Sequence, residues 1–175
     1  MAGGDAAADT IWILAAFPGI RTAARAARQA GYGGDMSVIN DRARVLLRSA
    51  APAHVVTQRI DGTPQVSVVW VGLDGDEILI GTQEGNAKVR NLRRNPHVIL
   101  SVLGTDLAHG FLLEHLLITG RATIDEAGPA AWLALMDDLA QVYLGTPFPH
   151  RGGGDSGVII RVEVDRISGV GPWGS

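Results

Sequence analysis

The sequence predicts a mainly β protein, a small closed barrel of six antiparallel strands with helices packed outside it. Runs of β-branched residues recur along the chain, Asp-Gly turns join the first of them, and only two or three segments have helical periodicity. Parallel pairing would need long crossovers, so strands joined by tight turns must pair antiparallel. Closure into a barrel removes the open edge that such apolar strands would otherwise expose.

Residues 1–36 are predicted to be an N-terminal extension, with the domain itself spanning residues 37–175. The apolar run at residues 11–17 is far shorter than the ~20 residues that cross a bilayer, and no basic segment precedes it as in a secretory signal. We therefore expect no membrane span and a cytoplasmic location. Arg21, Arg25 and Arg28 have helical spacing. The extension is either an amphipathic arm that contacts a membrane or a partner, or a loosely ordered segment.

The first half of the domain begins with a helix and continues as three strands. Asn40 or Asp41 can cap a helix that runs to about residue 50. Asp61-Gly62 is a strong signal for a hairpin, and Asp74-Gly75-Asp76 marks a second turn. We predict an antiparallel meander of three strands at residues 54–60, 65–73 and 77–82.

The second half is predicted to contain three strands and two helices. Gly120 falls inside a long strand, where a glycine often marks a bulge. A Pro- and Gly-rich loop covers residues 147–155. The predicted helices are at residues 87–95 and 129–144, and the predicted strands are at residues 97–103, 112–124 and 157–165.

Composition excludes several functions. The formal net charge of −3 argues against a general nucleic-acid binder. The chain has no cysteine, which excludes disulfides, thiolate catalysis and cysteine-ligated metals. The five histidines show no metal-binding spacing, so no metal site is expected.

The segment GNAKVRNLRRNP is the most informative part of the sequence, because four of the seven residues from Lys88 to Arg94 are cationic. Asn86 stands at the expected N-cap of the short helix, which places Lys88 in its first turn. A lysine there opposes the helix dipole unless an anion lies between the lysine and the free backbone N–H groups. Lys88 is therefore either an anion ligand or a plain surface lysine, whereas Arg93 and Arg94 stand at the end that favours cations.

The order of these segments resembles a known family. QVSVVW, EILIGT, GNAKVRNLRRNP and HVILSVL follow one another as in the pyridoxamine-5′-phosphate-oxidase-like flavin/deazaflavin split-barrel superfamily. KVRNLRRNP, ITGRATI, VYLG with TPFP, and RVEVDRISGVGPW are similar to its actinobacterial branch, the reductases that use coenzyme F(420). The resemblance covers residues 38–173.

The resemblance implies a Greek-key-like split barrel that forms a homodimer and binds its cofactor in a groove between the subunits. The second strand would contact the ring system, and the end of the third strand with the first turn of the next helix would hold the phosphate. Trp70 is either a wall of this groove or a core residue. The implied ring contacts are Gln65, Ser67, Val68 and Trp70; the implied phosphate contacts are Gly81, Thr82, Asn86, Ala87 and Lys88, with Asn91 and Arg90 near the phosphate or the glutamyl tail.

The expected function is that of an oxidoreductase. Reduced coenzyme F(420) would deliver hydride to an electron-poor small molecule such as an activated alkene, an imine or a quinone-like compound. The cofactor carries such chemistry, and the sequence identifies no catalytic side chain. The alternatives are an FMN-dependent oxidoreductase on the same fold, or a non-catalytic carrier of deazaflavin, flavin or haem. QVSVVWVGL contains no Arg or Lys, unlike the oxidases of vitamin B6, so pyridoxamine-phosphate oxidation is not expected.

Overall fold

The computed structural model describes residues 38–126, 128–149 and 157–173. This part of the chain is mainly β, as predicted, with one antiparallel sheet and flanking helices. The elements in chain order are α1 (Asp41–Leu47), β1 (Ala53–Gln58), β2 (Pro64–Val69), β3 (Gly72–Asp74), β4 (Glu77–Gln83), α2 (Ala87–Arg94), β5 (His97–Ala108), β6 (Leu112–Asp125), α3 (Pro129–Leu144) and β7 (Gly157–Val170).

The described sheet has seven strands, not the six that were predicted, because the expected strand at 65–73 is divided. Its strand order is β2-β1-β5-β6-β7-β4-β3. β2 pairs with β1, whereas β3 pairs with β4 at the opposite edge of the sheet. Both antiparallel pairings of the predicted meander are therefore present, but the middle strand is divided, so that each half pairs with one neighbour. Val69 and Val71 are both buried on either side of Trp70, so the alternation continues through the break and conceals the change of partner.

The sheet curls into a barrel because the two edge strands are consecutive in the chain. Only Trp70 and Val71 separate β2 from β3, and two residues span at most ~7 Å. Inward-facing side chains from every strand but the short β3 belong to one core cluster, with Ile80, Leu100 and Ile118 fully buried. Burial of each such side chain contributes about 1.5–3 kcal/mol.

The predicted tight turns are confirmed. Gly62 has φ +85° between β1 and β2, and Gly75 has φ +59° between β3 and β4. Both values lie in the left-handed region that glycine adopts without strain. The Asp61 carboxylate accepts hydrogen bonds from the backbone N–H and the hydroxyl of Thr63, which fixes the first turn.

Gly120 lies at a bulge, as predicted. The pairing of β6 with β7 shifts register between Thr119 and Gly120. A Cβ atom at residue 120 would overlap the carbonyl oxygen of Glu163, so the two strands approach closely at this point. Glycine is the residue that permits such an approach.

Asn40 joins the first helix to the end of the domain. Its carboxamide oxygen accepts from the Ala43 N–H, which is the predicted N-cap, and its Nδ2 donates to the carbonyls of Pro172 and Trp173. The Trp173 indole in turn donates to the carbonyl of His115. The helix ends at Leu47, three residues earlier than predicted.

α3 has the predicted bounds and packs on the outer face of the sheet over two glycines. A Cβ at Gly81 would meet the Met136 sulfur, and one at Gly157 would overlap the Trp132 ring. The predicted extension at 1–36 and most of the loop at 147–155 lie outside the described residues. The boundary at residue 37 stays a prediction. Within the described residues, no helix is long and apolar enough to cross a membrane.

Candidate functional site: an anion end and an aromatic cleft

The first turn of α2 meets the end of β4 at one end of the barrel. Asn86 is the N-cap residue by its backbone, but its side chain makes no capping bond. Its Nδ2 donates instead to the Thr82 hydroxyl, at 2.8 Å. Capping by the Asn86 side chain, as the sequence suggested, is wrong. The N–H groups of Ala87 and Lys88 have no acceptor among the described residues.

Lys88 is half-buried beside this helix end. Its Nζ donates to the Thr82 hydroxyl at 3.2 Å, and Thr82 is only 8% exposed. Burial lowers the pKa of Lys88, because the charged ammonium loses water. No carboxylate of the described chain contacts it. We call Thr82, Asn86 and Lys88 the anion end.

The other three cations of α2 already have partners. Arg93 pairs with Glu84 and Glu126, and these contacts raise the pKa of Arg93 and lower the pKa of Glu84. Arg90 donates to the carbonyl of Gly85 and Arg94 to the carbonyl of Gln58. Arg93 is thus paired with carboxylates, whereas Arg90 and Arg94, like Lys88, donate to neutral oxygens. Lys88 differs in its half-buried place beside the free N–H groups of the first turn, so it is the α2 cation best placed to meet an anion there.

A buried polar chain ties the middle of α2 to β2. Asn91 Nδ2 donates to the Thr57 hydroxyl at 3.0 Å, and that hydroxyl donates to Gln65 Oε1 at 3.0 Å. Asn91 is 6% exposed and Thr57 is fully buried. Lys88 and Asn91 are three residues apart and share one face of the helix. The anion end therefore lies near the Gln65 end of β2.

β2 leaves one backbone edge unpaired along this route. Among the described strands, β2 pairs with β1 on one edge only. At the other end of the sheet, β3 pairs with β4 only as far as Leu79, so the rest of that β4 edge is also unpaired. The free edges of β2 and β4 are therefore available to a ligand. Ser67 faces inward, and its hydroxyl oxygen is buried without a hydrogen-bond partner in the described structure. Val66 and Val68 face outward and are exposed.

An apolar cleft lies where β2 ends. Its volume is about 270 Å³, and its lining carries no charged side chain. The Trp70 ring stacks on Tyr143 with centroids 5.2 Å apart, and Phe148 meets Trp70 edge-on at 6.4 Å. We call it the aromatic cleft; the residues that line it are Pro52, Val68, Val69, Trp70, Met136 and Phe148.

The structure thus brings most of the predicted site residues into two groups joined by β2. Thr82, Asn86, Ala87 and Lys88 meet at the anion end, and Val68 and Trp70 line the cleft. Gln65 and Asn91 have side chains bound to Thr57. Gly81 faces α3 beneath Met136. Gln65 and Trp70 are five residue steps apart along the extended chain, about 17 Å.

Sequence reasoning missed the roles of Tyr143 and Phe148. Tyr143 backs Trp70, and the Phe148 N–H donates to the Asp137 carboxylate at 3.0 Å, which anchors this wall of the cleft. Their segments, VYLG and TPFP, entered only as parts of a resemblance. A hydroxyl bond between residues 71 and 143 has no local signal in the sequence.

A curled antiparallel sheet whose edge strands are joined by two residues, with a helix over one end, defines a split-barrel domain. The family model for pyridoxamine 5′-phosphate oxidase matches residues 39–171, and the chain belongs to this family. No curated protein matches the chain significantly.

Solved structures support the same fold. An F(420) reductase is 28% identical over 71% of this chain and 94% of its own, with a TM-score of 0.61. A putative pyridoxamine 5′-phosphate oxidase from Listeria innocua is 21% identical over 74% of this chain and 95% of its own, with a TM-score of 0.55. A heme storage protein from Vibrio cholerae is 14% identical, covers 76% and 95%, and has a TM-score of 0.56.

The residues present fit a cofactor that carries an anionic group and a planar ring. Lys88 and two free N–H groups suit the anion. The unbonded Ser67 hydroxyl and the free edge of β2 suit the polar rim of a ring. The side chains of Gln65 and Asn91 are already hydrogen-bonded to Thr57. At those positions β2 and α2 would therefore contact the cofactor through backbone groups.

Proposed function

We propose that this protein is an oxidoreductase that uses reduced coenzyme F(420) to transfer hydride to an electron-poor small molecule. The main support is that two features lie along one free strand edge. One is the half-buried Lys88, which has no carboxylate partner among the described residues, and the other is the uncharged aromatic cleft. A ligand that spans both must have an anionic arm and an apolar ring. The 28% identity to an F(420) reductase supports the deazaflavin over other ligands of this shape.

In this proposal the residues of the chain bind and orient. Lys88 and the N–H groups of Ala87 and Lys88 hold the phosphate, while Thr82 keeps the ammonium in place through its hydroxyl. The free edge of β2, with the Ser67 hydroxyl, holds the polar rim of the ring. The bound deazaflavin supplies the hydride. The apolar cleft offers the acceptor an uncharged surface on which to lie beside the ring.

The cleft lining supplies no proton. Proline, valine, tryptophan, methionine and phenylalanine are its side chains, and none of them titrates near neutral pH. An acceptor that needs a proton after hydride transfer therefore takes it from water or from a group outside this lining. No catalytic side chain is assigned.

A homodimer completes the proposal. The outward face of β2 and the β5–β6 hairpin expose large apolar side chains, which is unusual for a monomer surface. Exposed fractions reach 62% at Val68, 60% at Leu107 and 75% at Phe111. A second copy of the chain would cover this face and close the groove beside β2. The cytoplasmic location also remains a proposal.

The test is a pair of titrations with the purified protein, one with coenzyme F(420) and one with FMN. We expect saturable deazaflavin binding in the micromolar range or tighter, and reoxidation of the reduced deazaflavin by enones or quinones, without oxygen, faster than in free solution. Micromolar binding of FMN without binding of the deazaflavin would mean that the cofactor is FMN. Tight binding without faster reoxidation would identify a carrier, the second function that the fold admits.

A further inference from the structure

The Tyr143 hydroxyl bridges two backbone segments that are far apart in the sequence. It accepts from the Val71 N–H at 3.1 Å and donates to the carbonyl of Ala51 at 3.0 Å. Val71 lies in the two-residue link that closes the barrel, and Ala51 lies just before β1. Without the hydroxyl, the Val71 N–H and the Ala51 carbonyl would lose these hydrogen bonds. Leaving a buried peptide group without a hydrogen bond costs free energy.

Both bridged residues are direct neighbours of cleft residues. Val71 follows Trp70, and Ala51 precedes Pro52; Trp70 and Pro52 both line the aromatic cleft. The Tyr143 ring adds a third contact, since it stacks on Trp70 with an interplanar angle of 15°. Tyr143 does not itself line the cleft. One side chain therefore holds two walls of the cleft from behind.

We propose that Tyr143 is a positioning residue that holds Trp70 and Pro52 in place at the aromatic cleft, so that the cleft selects a neutral planar ring over a bulky ligand of similar polarity. The inference rests on the proposed function, in which this planar ring belongs to the hydride acceptor. The selection follows from the Trp70 ring, which Tyr143 holds by stacking at 5.2 Å: a planar ring can lie against an aromatic face over its whole area, whereas a globular ligand touches it at few atoms. Aromatic faces also favour stacked or edge-on partners, as Trp70 and Phe148 already show.

The hydroxyl is suited to a permanent bridge. Burial raises the pKa of Tyr143, with the Val71 N–H opposing the shift in part, so the group stays protonated and keeps its donor role. Its ring and its hydroxyl make separate contacts, so Tyr143→Phe removes the bridge and leaves the stacking surface on Trp70.

The experiment compares two neutral probes in the full chain without any cofactor, menadione as the planar ring and 2-adamantanone as the bulky one. Menadione binding is followed by quenching of tryptophan fluorescence, and adamantanone by its competition. We expect the wild type to prefer menadione. Tyr143→Phe should reduce this preference about fivefold, because it removes both hydrogen bonds of the hydroxyl and loosens the neighbours of Trp70 and Pro52. Val142→Ala, a neighbour on α3 that is 48% exposed and outside the cleft, should keep it.

A purely structural role would weaken both probes equally and leave the preference unchanged, and that result would overturn the proposal. Trp70→Phe keeps Tyr143 and serves as the second variant if Tyr143→Phe does not fold; it too should lose the preference. An absence of menadione binding in the wild type would also overturn the inference. The deazaflavin titration, which needs no acceptor, would then still decide the proposed function separately.

Discussion

The Nζ atom of Lys88 lies 3.2 Å from the hydroxyl oxygen of Thr82, a neutral partner, in a half-buried position where no described carboxylate reaches it. A cation that loses water without gaining an anion is unfavourable. The same hydroxyl accepts from Asn86 Nδ2, so the lysine shares its partner. An added anion beside the first turn of α2 would relieve this arrangement.

Lys88→Ala should raise the dissociation constant of coenzyme F(420), or of FMN if that is the cofactor, about tenfold to hundredfold. This corresponds to about 1.5–3 kcal/mol for a lost charge-assisted contact. Stability should stay the same or rise slightly, because the ammonium loses water on folding and has no charged partner among the described residues. Cofactor titration and thermal melts measure the two effects.

Arg94→Ala is the matched control on the same helix. Arg94 lies at the helix end that favours cations and donates to the carbonyl of Gln58. Its loss should cost a few tenths to about 1 kcal/mol of stability and leave affinity unchanged. Equal, weak effects of both substitutions on affinity would mean that the basic cluster is only a charged surface.

Cofactor binding should take up protons at alkaline pH. Burial lowers the pKa of Lys88 from its ordinary value of 10.5. The folded protein thus holds this proton less tightly than the unfolded chain. Below its lowered pKa, the charged Lys88 decreases the free energy of unfolding, and this destabilisation is lost as pH rises through that pKa. A bound phosphate raises the pKa again, so affinity should fall as pH approaches the lowered value.

Calorimetry in buffers of different ionisation enthalpy, at one pH, measures this uptake. Lys88→Arg is the control, because arginine keeps its charge throughout the range. We expect the variant to bind without proton uptake and with little pH dependence. Uptake of the same size in Lys88→Arg would assign the proton to another group.

Local chemistry made most elements of this fold predictable, but not their partners. Asp61-Gly62 gave the first hairpin because glycine alone enters its φ of +85° freely. The break after Val69 was not predictable, since the buried-exposed alternation passes through Trp70 unchanged. Where the partner changes, the Val71 N–H donates to the Tyr143 hydroxyl, 72 residues away, and a contact of that range leaves no local pattern.

The site divides in the same way. Lys88 could be recognised because its position in the first helical turn conflicts with the helix dipole. The aromatic cleft could not be recognised in this way: Val68 and Trp70 entered only through the family resemblance, and Pro52 and Met136 look like ordinary core residues in a sequence. The sequence suggested that the Asn86 side chain caps α2, whereas it donates to Thr82. The same short side chain can make either bond, and the sequence does not distinguish them.

Gly157→Ala should destabilise the protein by about 1–3 kcal/mol or more, through overpacking. Its Cβ would overlap the ring of Trp132, which is 3% exposed and lies edge-on to Phe148 at 5.9 Å. That ring has little room to move. Denaturant unfolding measures the change.

Gly85→Ala is the control, because a Cβ there meets nothing within 4 Å and its φ is not in the left-handed range. It should be close to neutral. Gly81→Ala should fall between the two, since its Cβ would meet the flexible end of Met136. Equal stability of the variants at residues 85 and 157 would contradict the packing of α3 on β7.

Leu103→Asp should convert the proposed homodimer into a monomer and weaken cofactor binding with it. Leu103 is 49% exposed on the outward face of β5, opposite His115 on β6. A stable interface buries on the order of 1,200–2,000 Å² in total, and a carboxylate within its apolar part would be desolvated without a partner. Val45→Asp places the same charge on α1, at a valine that is 62% exposed. That control should remain dimeric. Light scattering after size-exclusion chromatography gives the mass, and titration of the same samples gives the affinity. A monomeric wild type would refute the dimer, and a monomeric variant with full affinity would show that one subunit holds the cofactor alone.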